Sequence, residues 1–129
     1  MPRLNISGTS PWEPRAGYSR AVRIGPHVWV AGTTATDGNG ELVGAGDAGT
    51  QARQAFANVA RALETAGARL DQVVRTRMYV TRIADAEAVA AAHGAIFGDI
   101  RPASTLVGVS ALVAPEMLVE VEAEAYVGD

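Results

Sequence analysis

Three glutamates alternate near the carboxyl end of the chain, at Glu120, Glu122 and Glu124. Alternate residues of a β-strand point to the same side, so the three carboxyl groups would form a row on one face. A carboxyl group held in this way can act as a general acid or base, or can orient a water molecule. The alternative is a solvated row that Arg75 and Arg77 pair from a neighbouring strand, because opposite charges stabilise facing strands.

Three other side chains are candidates for a binding site. His93 lies in a predicted helix, and because an imidazole titrates near neutral pH, a role in proton transfer competes with simple packing. Arg101 precedes Pro102, which favours an extended backbone and a long reach to the rim of a cleft; the alternative is an exposed residue that opens a strand. Trp12 lies in a proline-rich segment and is interpreted either as a plug in the core or as a lid over a cleft.

Several kinds of chemistry are excluded by residues that the sequence lacks. The chain has neither Cys nor Lys, which removes thiolate nucleophiles, disulfides and Schiff-base chemistry. It has two His, too few for a multi-histidine metal site, so we predict no metal and no cofactor. The net charge of −3 argues against nucleic acid and anionic membranes as partners. The sequence shows no signal-peptide pattern and no membrane-length apolar run, so we expect a cytoplasmic protein.

The 129 residues, 48% of them hydrophobic, predict one globular domain over residues 1–129. Residues 1–19 are interpreted as irregular because of three prolines, and residues 37–40, Asp-Gly-Asn-Gly, as a hairpin turn. The remaining pattern predicts strands at 21–24, 28–31, 73–81, 104–112 and 118–127, and helices near 48–66 and 85–98. This order indicates an α+β fold in which two helices cover one face of a sheet. The other face needs cover, which favours oligomerisation.

Five segments together resemble the RidA (YjgF) family of reactive-intermediate deaminases, also labelled endoribonuclease L-PSP. The resemblance extends from about Gly17 to Val127. The segments are Gly17-Tyr18, Val30-Ala31-Gly32-Thr33, residues 51–59 (QARQAFANV), Pro102-Ala103-Ser104-Thr105 and residues 118–123 (LVEVEA).

The resemblance implies a chorismate-mutase-like mixed sheet with two helices on one face, and a homotrimer with clefts between its subunits. Members of this family hydrolyse enamines and imines to ketones and ammonia. An arginine after the Pro-Ala motif clamps the substrate carboxylate, and a glutamate on the last strand positions the attacking water. By position, Glu120 is the catalytic glutamate, and the substrate-binding residues are Tyr18, Gly32, Thr33, His93, Arg101, Ser104 and Trp12. Ser104 stands in the place of the arginine, as in a divergent subgroup, so Arg101 or Arg77 becomes the candidate for a relocated guanidinium.

The sequence favours two functions. The first is hydrolysis of an enamine, imine or related C–N substrate to a carbonyl compound and ammonia, with simple 2-imino acids expected to be poor substrates. The alternative is a non-catalytic module that binds small keto or amino acids in the same clefts. In both cases the expected ligand is a small carboxylate. The ribonuclease activity of the older family label is disfavoured by the negative charge and by the absence of Lys.

Overall fold

The computed structural model describes residues 2–128, so Met1 and Asp129, the ends of the predicted 1–129 domain, lie outside the described residues. Residues 2–128 form six strands and three α-helices. In order they are β1 Arg3–Ile6, α1 Trp12–Ala16, β2 Ala21–Ile24, β3 His27–Thr33, α2 Ala48–Thr65, β4 Val73–Val80, α3 Ala86–Phe97, β5 Ala103–Gly108 and β6 Val119–Tyr126. Short 3-10 turns at Leu70–Gln72 and Ile83–Asp85 precede β4 and α3.

All six strands belong to one mixed sheet with the order β1-β2-β3-β6-β4-β5. The β4–β5 pair is parallel and is connected through α3, whereas the other neighbours are antiparallel. The last strand of the sequence therefore lies in the middle of the sheet, between β3 and β4. The predicted α+β fold with a mixed sheet is confirmed.

The two long helices pack on the same face of the sheet. Phe56 and Leu63 of α2 and Val89 of α3 are fully buried against Val119 and Val121 of β6. The prediction for α2 is confirmed to within a residue of its end, and its Asp47 cap accepts a hydrogen bond from the Thr50 N–H. The alternate positions of β6 that face the helices carry apolar side chains: Val119, Val121, Ala123 and Ala125.

The amino-terminal segment is more ordered than the sequence predicted. Residues 3–6 form an edge strand that pairs with β2, and residues 12–16 form one helical turn, so the interpretation of residues 1–19 as irregular was wrong. β5 also ends at Gly108, four residues earlier than predicted. At the start of β4 a register shift exposes Val74 and turns Val73 into the core. The predicted turn at 37–40 closes with an isolated bridge between Thr36 and Leu42.

The second face of the sheet is not covered by any element of residues 2–128. It carries the three alternating glutamates of β6 together with Arg77 and Tyr79 of β4. The aromatic side chains of Trp29 and Tyr126 are 41% and 48% exposed there. Within the described residues, no helix has the length and apolar character needed to cross a membrane.

Candidate functional site

A bulge in β3 brings the backbone of Gly32 against the side chain of Glu120. Val30 pairs with Ala123 and Thr33 pairs with Val121, so β3 carries one residue more than β6 between these pairs. A Cβ atom added at Gly32 would lie 2.7 Å from Oε2 of Glu120 and 3.0 Å from its Cδ. Bulges re-aim side chains and are common beside active sites. Glycine at position 32 therefore makes room for the carboxyl group.

Two of the three glutamates on β6 accept hydrogen bonds from β4 side chains that lie diagonally across the sheet from them, and the third does not. The residues directly opposite are Tyr79 for Glu120 and Arg77 for Glu122. Each β4 side chain is hydrogen-bonded not to the glutamate directly opposite but to the next one along β6: Tyr79 Oη donates to Glu122, and Arg77 Nη1 donates to Glu124 at 2.8 Å. None of the hydrogen bonds of residues 2–128 ends on the carboxylate of Glu120. Of the alternative in which Arg75 and Arg77 pair the glutamates, only the Arg77–Glu124 pair is observed: Glu122 accepts from Tyr79, and Arg75 donates to Thr105.

The surroundings of Glu120 raise its pKa above the usual value for a glutamate. The main cause is burial, which disfavours the charged form, and the neighbouring Glu122 carboxylate adds to the rise. The Arg20 guanidinium acts in the opposite direction but does not cancel these effects. A carboxyl group with a raised pKa exchanges protons closer to neutral pH, which suits a general acid or base.

Arg20 connects the amino-terminal segment to this site and was missed in the sequence. Its Nη1 donates to the carbonyl oxygen of Gly32 at 2.6 Å and to Oγ1 of Thr33 at 3.1 Å. Its Nη2 donates to Tyr18 Oη at 3.3 Å, and its Nε lies 3.6 Å from Oε2 of the buried Glu13. No local motif marks Arg20, because its partners come together only when β2 and β3 pair. These contacts fix the backbone of the bulge, against which the Glu120 side chain packs.

The predicted residues Tyr18, Gly32, Thr33 and Glu120 therefore form one connected group around Arg20. Tyr18 is 40% exposed at its rim. Thr33 is buried, and its hydroxyl donates to the carbonyl oxygen of Ala31 at 2.8 Å while accepting from Arg20. Both hydrogen-bonding directions of Thr33 are thus occupied within the chain. Its observed contacts are those of a positioning residue.

His93 of α3 and Ser104 of the edge strand β5 lie on the side of the sheet opposite to Glu120, the side on which the helices pack. His93 packs between Phe56 and Phe97 of α2 and α3, with ring centroids 5.5 and 4.7 Å away. Its Nε2 lies 2.8 Å from Oγ1 of the buried Thr76, and that hydroxyl in turn lies 2.8 Å from Oγ of Ser104. Burial lowers the pKa of His93, which keeps its imidazole neutral at pH 7.

Within residues 2–128 of one chain, neither candidate for a relocated guanidinium is hydrogen-bonded to Glu120. Arg77 is engaged with Glu124, and its pKa is raised mainly by that hydrogen bond. The extended backbone predicted for Arg101 is wrong: this exposed residue lies in the turn after α3 and adopts a left-handed conformation with φ of 57°. The guanidinium whose charge acts on Glu120 is that of Arg20.

Trp12 is 44% exposed on α1, and the Arg15 guanidinium stacks over its ring at 4.7 Å. The interpretation of Trp12 as a core plug is therefore wrong, and its role as a lid stays a prediction. Residues 2–128 contain no group of three or more His, Asp or Glu side chains arranged to hold a metal ion.

The comparisons with known proteins agree on one family. The family model described as endoribonuclease L-PSP matches residues 8–127. The 3-aminoacrylate deaminase RutC of Acinetobacter baylyi is 33% identical over 129 residues, covering 98% of this chain and 100% of that protein. The crystal structure of Rv2704 from Mycobacterium tuberculosis, a member of the YjgF/YER057c/UK114 family, superposes with a TM-score of 0.89 at 48% identity. It covers 98% of this chain and 100% of that one. The chain therefore belongs to the YjgF/RidA family, the family of the endoribonuclease L-PSP model.

Proposed function

We propose that this protein hydrolyses the carbon–nitrogen bond of a small enamine or imine, with Glu120 as the catalytic residue. One observation carries the proposal: within residues 2–128, Glu120 is the member of the glutamate row whose carboxyl group has no hydrogen-bond partner, and it is half-buried with a raised pKa against the bulge at Gly32. A carboxylate needed only for the fold would be expected to share in the ladder, as Glu122 and Glu124 do.

The chemistry requires one carboxyl group and one water molecule. In the ionised form Glu120 accepts a proton from water while the water oxygen bonds to the C=N carbon and the π electrons move to nitrogen. The carboxyl group gives that proton to nitrogen, which forms a carbinolamine. Glu120 then takes the hydroxyl proton as the carbonyl forms and the carbon–nitrogen bond breaks, and it passes this proton to the departing nitrogen, which leaves as ammonia. An enamine first takes a proton at carbon and loses one from nitrogen, and so becomes an imine. No oxidant, reductant or cofactor enters this balance.

We further propose that the working site is shared between copies of the chain in a homotrimer. Glu120 and Ser104 lie on opposite faces of one sheet, so a single chain cannot bring both to one small ligand. A second copy placed on the uncovered face could do so, and would also cover Trp29 and Tyr126. The resemblance to RidA proteins implies this assembly. We expect it to form in the cytoplasm.

The comparisons support a C–N substrate over RNA. One relative bears the name of a 3-aminoacrylate deaminase, and the reaction class in that name matches the chemistry available at Glu120. The family description as an endoribonuclease finds little support in this chain, which is acidic overall and has no Lys for phosphate contacts.

The second candidate function is binding without turnover. It is favoured by Ser104, which stands where active relatives are expected to carry the carboxylate-clamping arginine. In this case the clefts would hold small keto or amino acids, and Glu120 would contribute to recognition only.

The test is hydrolysis of a panel of imines and enamines, measured as release of the carbonyl product, by the wild type and by Glu120→Gln. General acid–base catalysis contributes about 10²- to 10⁴-fold, and Glu120→Gln should lose a factor of this size in kcat. The matched control is Glu122→Gln in the same row, which keeps an acceptor for Tyr79 and should retain most activity. Equal losses in both variants would contradict the assignment of Glu120. Ligand binding by a wild type that turns nothing over would favour the binding module.

A further inference from the structure

We propose that the Ser104 hydroxyl, held by Thr76 and His93, binds an uncharged carbonyl or carboxamide group of the ligand in the place where related proteins bind a carboxylate. This inference rests on the proposed function for the location of the cleft, and it adds the class of substrate. It also assigns a positioning role to Thr76, a residue that the sequence did not single out.

The three side chains form a continuous chain from the helix layer to the surface. Thr76 is fully buried in β4, where a hydroxyl without a partner would be costly. Its two partners are His93 Nε2 and Ser104 Oγ, both at 2.8 Å. Ser104 is exposed on the edge strand β5, so the chain ends at a hydroxyl that faces solvent.

The protons of the hydrogen-bond chain His93–Thr76–Ser104 can be arranged in two ways, and all three side chains are neutral in both. When Thr76 donates to Ser104, His93 Nε2 carries the proton that Thr76 accepts, and the Ser104 hydroxyl is free to donate outward. When Thr76 donates to His93 instead, Ser104 donates to Thr76 and presents only lone pairs outward. The outer atom thus offers either a donor to a carbonyl oxygen or an acceptor to an amide N–H. A carboxamide can use either arrangement.

Within residues 2–128, no arginine is hydrogen-bonded to Ser104. Arg75 of β4 donates instead to Thr105 Oγ1 at 2.8 Å. Ser104 and Thr105 are consecutive in β5 and therefore point to opposite faces of the sheet. A single neutral hydroxyl lacks the two parallel charged donors with which an arginine holds a carboxylate.

The experiment compares two probes that differ only in this group, pyruvate and pyruvamide, by NMR titration. We expect the wild type to bind pyruvamide about two- to tenfold more tightly, the range for one neutral hydrogen bond, because only the carboxamide has an N–H that can donate to the Ser104 lone pairs. Thr76→Val and Ser104→Ala should bring the ratio of the two dissociation constants close to one, and Thr76→Ser should restore it. The matched control is Thr105→Val on the opposite face of β5, which should leave the ratio unchanged.

The inference is overturned if pyruvate binds as tightly as pyruvamide, if neither probe binds, or if Thr76→Val and Ser104→Ala leave the ratio of the two dissociation constants unchanged. A pyruvate preference that disappears in Arg101→Gln would assign the position to a relocated arginine instead. Failure of the proposed function has a different signature: no imine is hydrolysed, while the pyruvamide preference persists. Because Ser104 is exposed, Ser104→Ala keeps the test informative even if Thr76→Val folds poorly.

Discussion

At the scale of single residues, the candidate site is defined by Glu120, the carboxylate of the row that accepts no hydrogen bond within residues 2–128. Glu122 and Glu124 are hydrogen-bonded along the diagonal of the sheet, and Glu120 is the one that remains. Its alternation with the other two glutamates was readable in the sequence. The diagonal hydrogen bonding that leaves Glu120 without a donor could not be read from the sequence, because it depends on which β4 side chains reach across to β6.

Gly32→Ala should disable the site without unfolding the protein. The new methyl group would lie 2.7 Å from Glu120 Oε2, and the flexible carboxyl group would move away to relieve the contact. Misplacing a reacting group by about 1 Å can cost about 10²-fold in rate. We expect a loss of this size in kcat with little change in melting temperature. Gly94→Ala, in open space on α3, serves as the control and should keep full activity. An active Gly32→Ala would contradict the close packing of Glu120.

The raised pKa of Glu120 predicts opposite effects of pH on activity and stability. As a base, Glu120 must be ionised, so kcat/KM should rise with pH through its folded-state pKa. The same shift stabilises the fold fully below the unfolded pKa of about 4.3, and this stabilisation is lost as pH rises through the folded pKa. Denaturant unfolding should therefore show the wild type losing stability relative to Glu120→Gln across this window. A difference between the two proteins that does not vary with pH would contradict the assignment.

At the scale of elements, regular patterns were predicted well and irregular ones were not. Helix α2 was predicted from apolar residues at spacings of three and four, and its observed bounds agree. β1 was missed because its four residues bury only Ile6, and no periodicity can be read from so short a segment. The bulge at Gly32 was invisible for a related reason: it appears only when β3 is set against β6. Arg20 follows from the bulge and was missed with it.

Leu63→Ala tests the apolar face of α2. Leu63 is fully buried, and removing its side chain should cost roughly 2–5 kcal/mol in the free energy of unfolding, since the surrounding core relaxes only in part. The control is Leu4→Ala on the edge strand, where the side chain is 49% exposed and the expected cost is below about 0.5 kcal/mol. Chemical denaturation at one protein concentration measures both. Similar costs for the two variants would show that the helix face is assigned wrongly.

At the scale of the whole molecule, the sheet has a covered face and an open one, and the candidate residues are divided between them. A trimer would explain both facts. Sedimentation equilibrium should then give about three times the chain mass of 13.4 kDa. A stable monomer at micromolar concentration would contradict the shared site.

A shared site also predicts complementation between two inactive variants. Glu120→Gln removes the base, and Ser104→Trp would block the other side of the cleft. After the two are unfolded together and refolded as an equal mixture, about one quarter of the sites should combine an intact Glu120 from one copy with an intact Ser104 from another. Imine hydrolysis should recover to that extent. If each chain held a complete site, every site in the mixture would carry one defect, and no activity would return.

The left-handed backbone of Arg101 has a consequence for how stability and function are divided in this protein. A residue with a Cβ at φ of 57° is strained by about 1 kcal/mol, and glycine would relieve that strain. Arg101→Gly should therefore raise the free energy of unfolding, as measured by denaturant titration, by less than about 1 kcal/mol, because glycine also adds conformational entropy to the unfolded chain. A variant that gains stability but loses ligand affinity would mark position 101 as a trade-off, where the fold tolerates strain so that the cleft keeps a charge at its rim. A gain in stability with no loss of ligand affinity would show that binding does not need the Arg101 side chain. Glycine at position 101 would then make the protein more stable at no cost to binding.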